Sequence, residues 1–142
     1  MEGITIRQLG PADLDLLLSV PDGLFDEAVI PEQARAFLNE PLHEIVLAFD
    51  GDLVVAMATG AILLHPDKPP SFFINEVGTR DSHLRRGIAS ALTARLMEIA
   101  RDRGCQGIWL ATEPDNIAAL GLYRKLGGQE EPVVAFGWDD AF

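Results

Sequence analysis

Cysteine is almost missing from this chain: Cys105 stands alone among 142 residues. One thiol can form neither an internal disulfide nor a cysteine-based zinc site, so a reducing, cytoplasmic compartment is the expectation. Positive charge is also scarce, with 11 Lys and Arg against 22 Asp and Glu and a net charge of -11. A field of that sign repels nucleic-acid phosphates and favours cationic partners. Long apolar runs are lacking too. The longest, Leu53 to Leu64, falls well short of the ~20 residues that a membrane-spanning helix needs. "MEGITIRQLG" has no basic stretch leading into an apolar one, so neither a membrane span nor a secretory signal is expected. His43, His65 and His83 show no metal-ligand spacing, which predicts no metal. Neither GxxxxGK(S/T) nor GxGxxG occurs, which sets aside Walker-type and dinucleotide sites. Ser82-His83 invites a hydrolase reading, but no G-x-S-x-G elbow supports it.

What is present fits one domain spanning residues 1–142, with enough apolar content to bury a core. Ile4 to Gln8 reads as a first strand. "GPADLDLLLSV" reads as a Pro-initiated helix with Leu14, Leu17 and Leu18 on one stripe, and Pro31 to Asn39 as a second helix stopped by Pro41. Two β-rich runs around Asp50-Gly51-Asp52 predict a hairpin whose second strand bends at Gly60. "SFFINEVGT" is a further strand. It leads to the longest helical pattern, with Ile88, Leu92, Leu96 and Ile99 in register and Gly104 as the stop. "GIWLAT" then predicts a buried strand, "DNIAALGLYRKLGG" a capped helix and "PVVAFGW" a last strand. Antiparallel strands first, then alternating strand and helix, predict an α/β fold: a mixed sheet with helices packed on it.

The stretch "DSHLRRGIAS" puts Arg85, Arg86 and Gly87 directly before that long helix, in an otherwise acidic chain. A helix start exposes unpaired N–H groups and about half a positive charge, so phosphate is attracted there. Small residues Gly87, Ala89 and Ser90 admit a ligand to the backbone, and both arginines can add charge-assisted hydrogen bonds. A solvated loop before a helix has the same composition.

Two motifs decide between those readings. "HLRRGIASAL" resembles the cofactor-binding pattern Gln/Arg-x-x-Gly-x-Gly/Ala of the GNAT superfamily of acetyl-CoA-dependent N-acetyltransferases, with Gly87 and Ala89 matching and Leu84 in the place of Gln or Arg. "NIAALGLYRKLG" resembles the same superfamily's N-x-x-A-x-x-L-Y-x-K-x-G segment at Asn116, Ala119, Leu122, Tyr123, Lys125 and Gly127. The chain from Phe72 to Gly128 carries the likeness. Within the superfamily it looks similar to aminoglycoside 3-N-acetyltransferases.

The resemblance implies a mostly antiparallel central sheet flanked by helices and acetyl-CoA as co-substrate. It also implies direct acetyl transfer to the primary amine of a small cationic acceptor, aminoglycoside- or polyamine-like. Protein N-terminal or lysine acetylation, or a non-catalytic acyl-CoA sensor, are the alternatives. By resemblance Glu76 is the general base and Tyr123 the group serving the leaving thiolate. Val77, Thr79 and Asn116 line the pantetheine arm, and the run Arg85, Arg86, Gly87, Ile88, Ala89 and Ser90 holds the pyrophosphate. Dimers are frequent in the family, so a homodimer is admitted. Asp26, Glu27, Glu130, Glu131, Asp139 and Asp140 are candidates for lining the acceptor site.

Overall fold

The computed structural model describes residues 1–142. By internal packing the chain divides into two compact units, Met1–Ala111 and Thr112–Phe142. The first holds every strand: β1 (Ile4–Gln8), β2 (His43–Asp50), β3 (Leu53–Leu63), β4 (Ser71–Thr79) and β5 (Ile108–Trp109), lying side by side in that order. The first three pairings are antiparallel and β4–β5 is parallel, the mixed sheet expected. Helices α1 (Leu14–Leu18) and α2 (Pro31–Asn39) precede β2, and α3 (Ile88–Asp102) supplies the crossover that a parallel pair requires.

The sheet has a core on each face. On one, the α3 stripe Ile88, Leu92, Leu96 and Ile99 packs with Val46, Ala58, Ile62, Phe72 and Ile74. Each fully buried leucine there contributes about 2 kcal/mol. On the other, Leu17 of α1 and Ala34 and Leu38 of α2 pack with Ile45, Leu47 and Met57.

A bulge in β4 sets the direction in which Glu76 points. Thr59 is opposite Glu76 and Gly60 is opposite Ile74, so Asn75 has no partner. Phe72 and Ile74 point into the α3 core. Strand side chains alternate, so without the extra residue Glu76 would follow them into that apolar layer. The extra residue turns Glu76 to the α1/α2 face and returns Val77 to the α3 face. Bulges also bend a strand, and β5 parts from β4 here: only Phe72–Ile108 and Phe73–Trp109 pair. From Asn75 onward the outer edge of β4 carries no strand.

The hairpin forms as expected, with Asp50 paired to Leu53 across a turn in which Gly51 has φ +60°. Three elements differ from expectation. The first helix is a 3-10 turn, Pro11–Asp13, followed by the five-residue α1. The "GIWLAT" strand shrinks to Ile108–Trp109, the two residues that pair with β4, and it is not buried: Trp109 is 52% exposed. "PVVAFGW" forms no strand. A β pattern specifies a pleated chain but supplies no ladder partner. Val133, Val134, Phe136 and Trp138 are each about three-quarters exposed.

The second unit is built around α4 (Ile117–Lys125). The Asn116 side chain accepts the Ala119 N–H at 3.1 Å, capping the helix start. At the other end the Gly128 N–H donates to the Tyr123 carbonyl at 3.0 Å and Gly127 is left-handed at φ +87°, the glycine stop expected.

Candidate active site

Glu76 lines a cleft of about 470 Å³ between the sheet, α2 and the segment Phe25–Ile30. Asp26 and Glu27 share that cleft with Phe25, Phe37 and Thr59. Burial, then the nearby Asp26 carboxylate, push the Glu76 carboxyl above its ordinary value. The Thr59 hydroxyl donates to Glu76 at 3.5 Å, too long to offset them. A carboxyl raised in this way is better matched to accepting a proton near neutral pH than a free one.

Arg80, just after β4, anchors the segment that leads into the cleft-lining residues Phe25–Ile30. Its Nε donates to the Val54 carbonyl at 2.7 Å, and its two terminal nitrogens donate to the carbonyls of Asp22 at 3.1 Å and Pro21 at 2.8 Å. One guanidinium thus fastens the segment carrying Phe25 and Asp26 to the sheet.

Beyond Glu76, the free edge of β4 runs through Val77 and Thr79 toward the start of α3. An extended ligand can add to such an edge as a strand does. The Thr79 hydroxyl is buried without a hydrogen-bond partner, which leaves a donor and an acceptor for a ligand there. The α3 start is also unoccupied by the chain itself: Gly87 is the N-cap at φ +78°, no side chain caps it and no acid lies in the first turn. Arg85 is left-handed as well, at φ +62°, a conformation that strains any residue bearing a Cβ. The amides of Ile88, Ala89 and Ser90 therefore remain unpaired at the positive end of a 15-residue helix, with Arg85 and Arg86 exposed beside them. Leu84 is half-exposed and offers no hydrogen bond, so an anion at this point relies on amides and arginines.

The first unit carries Glu76, Val77, Thr79 and the run Arg85–Ser90. Asn116 and Tyr123 are carried by the second, Asn116 as the α4 cap and Tyr123 half-buried, with burial pushing its phenol up. Of the other candidate acids, Glu130 pairs with Arg124 on the surface of the second unit. Ser82 and His83 join a hydrogen-bonded chain with Asp50, at 2.7 Å and 2.9 Å. The Glu76 cleft does not reach these three residues. Their hydrogen bonds tie the turn before α3 to the β2–β3 hairpin, which accounts for the buried histidine without hydrolysis.

Phe25, Phe37 and Thr59 were invisible as site residues in the sequence, because they converge from a loop, a helix and a strand far apart along the chain. The second cleft, about 370 Å³, encloses Glu44, whose carboxylate is satisfied by Arg103 at 2.7 Å and Gln8 at 2.8 Å. No helix is long and apolar enough to cross a membrane.

Residues 14–128 match the acetyltransferase (GNAT) family. The chain belongs to that family. Among curated GNAT relatives, an N-alpha-acetyltransferase RimI from Mycobacterium tuberculosis is 30% identical over 130 residues, covering 90% of this chain and 80% of that protein. A mycothiol acetyltransferase from Nocardia farcinica is 33% identical over 139 residues, 89% of this chain and 45% of its own length. The chain spans about half the length of the mycothiol relatives it matches. Among solved structures, an aminoglycoside N-acetyltransferase, AAC(6')-Iy, in complex with CoA superimposes with a TM-score of 0.76 at 20% identity, covering 97% of this chain and 95% of that one. It shares the GNAT fold. Membership makes acetyl-CoA the acyl donor of the family's chemistry.

Proposed function

We propose that residues 1–142 act as one cytoplasmic N-acetyltransferase domain that moves an acetyl group from acetyl-CoA to the primary amine of a small cationic acceptor. The observation that carries this reading is the Asn75 bulge, which turns Glu76 into an acidic cleft at the head of a free β4 edge. Acetyl-CoA supplies the acyl group as a thioester. Glu76, directly or through one water, takes the proton from the ammonium, and the neutral nitrogen bonds to the acyl carbon as the C–S bond breaks. The Tyr123 hydroxyl, kept protonated by its raised pKa, gives its proton to the departing sulfur; the second proton that the nitrogen sheds on becoming an amide restores the phenol, CoA leaves as the thiol and Glu76 returns its proton to solvent. Asp26 draws the ammonium in, and the arriving cation relieves its repulsion with Glu76. Cys105 is buried with its thiol pushed up, which supports direct attack without a covalent enzyme intermediate.

Val77, Thr79 and Asn116 receive the pantetheine arm in this reading, and the run Arg85–Ser90 the pyrophosphate. Arg86→Ala should weaken CoA binding roughly tenfold at low salt and by less at high salt, since the contact is charge-assisted and exposed. Titration calorimetry at two ionic strengths reads both; unaltered affinity would place the pyrophosphate elsewhere. Tyr123→Phe should lower kcat about tenfold or more while the Kd for CoA holds. A stopped-flow thiol assay checks it, and a wild-type kcat would remove Tyr123 from the proton path.

Thiol release across a panel of amines tests the activity itself. Acetylation of protein N-termini is the second reading, favoured by the RimI relative, 80% of whose length the chain covers. Selectivity for peptides over small amines would establish it. A CoA-binding sensor would bind the cofactor and release no thiol with any amine. Homodimer formation belongs to the same proposal and is read by sedimentation equilibrium.

A further inference from the structure

The cleft at Glu76 is lined by three carboxylates and by a larger number of apolar side chains. Eight of its thirteen lining residues are apolar. Phe25, Val29 and Phe37 are only half-buried there and Ile30 is 54% exposed, so four large apolar side chains turn carbon surface toward the space. The charged groups are Glu76, Asp26 and Glu27. Neutral hydrogen-bonding side chains number two, Gln33 and Thr59, and the Thr59 hydroxyl already faces Glu76.

That division sorts acceptors by their frame. A hydroxyl-rich sugar amine would bring many donors and acceptors against a wall that cannot satisfy them, and each unpaired group opposes binding. A hydrocarbon frame would instead cover the exposed carbon of Phe25, Val29, Ile30 and Phe37, while one ammonium sits at Glu76 and Asp26.

We infer that the acceptor is a primary amine on a hydrocarbon frame, an alkyl- or arylalkylamine, recognised by the apolar wall of Phe25, Val29, Ile30 and Phe37. The inference rests on the acetyltransferase reading and narrows its substrate class. Burial of each added methylene should raise kcat/KM about three- to fourfold until the cleft is filled.

The test is steady-state thiol release with a series of n-alkylamines from four to ten carbons, phenylalkylamines, glucosamine and an aminoglycoside. The expected result is a rise in kcat/KM with chain length, phenylalkylamines above glucosamine and the aminoglycoside by at least about tenfold. Ile30→Ser and Val29→Ser should flatten the length dependence, with the melting temperature of each variant measured alongside to show that it folds. A flat series, or preference for the hydroxylated amines, overturns the inference and leaves the acetyltransferase reading standing. No turnover of any amine by protein that binds CoA overturns both.

Discussion

Glu76→Gln should lower kcat/KM for amine acetylation by about 10²–10⁴-fold, the range supplied by a positioned general base, while the Kd for CoA stays within about twofold. The amide keeps the shape of the side chain and its partner Thr59, so the loss would be one of chemistry. The pH profile separates a base from a binding carboxylate. Burial and Asp26 raise the Glu76 pKa, so the acidic limb of kcat/KM, which rises as Glu76 gives up its proton, should lie above the ordinary carboxylate range. In Glu76→Gln that limb should vanish.

The same substitution should act in the opposite direction on stability. A carboxyl whose folded pKa exceeds its unfolded one favours the fold fully below the unfolded pKa, and that contribution is lost as pH rises through the folded value. Above the folded pKa the ionised Glu76 therefore opposes folding, and there Glu76→Gln should melt at a higher temperature than the wild type. Below the unfolded pKa the advantage should disappear. A variant that lost activity and also melted lower above the folded pKa would point to disrupted packing, and would remove the assignment of Glu76 as base.

Gly60→Ala should destabilise the protein by about 3 kcal/mol, lowering the melting temperature by roughly 10 °C. A Cβ at Gly60 would lie 2.2 Å from Cε2 and 2.4 Å from Cζ of Phe72, and 2.8 Å from the carbonyl oxygen of Phe73. Phe72 is fully buried and its ring has nowhere to retreat, and the Phe73 carbonyl belongs to the strand itself. Gly60 also stands at the register shift that frees Asn75. Any repacking there should reach Glu76, so activity is expected to fall further than the unfolded fraction explains. Calorimetry and the thiol assay on one preparation read both effects; a wild-type melting temperature would show that the ring does not crowd this position.

The register shift also explains why the site was only half legible along the chain. Counting in twos from Phe72 and Ile74 places Glu76 in the α3 core, an unfavourable position for a carboxylate. An irregularity at Gly60 was legible from the glycine in an apolar run, and the register shift falls there, but nothing local marks Asn75 as the extra residue, because its partner strand lies some 15 residues earlier in the chain. The last strand failed for a related reason: "PVVAFGW" carries the propensity, and propensity has no power to bring an edge alongside.

Local chemistry, then, was sufficient for the α3 helix with its uncapped, arginine-flanked start, for the hairpin at Asp50–Leu53 and for the family itself, because stripes, caps and turns are written within a few residues of one another. Tertiary structure alone decided that Glu76 faces a cleft beside Asp26, that Phe25 and Phe37 wall it and that β4 keeps a free edge. Those depend on strand register and on contacts between distant segments, which a linear pattern does not encode.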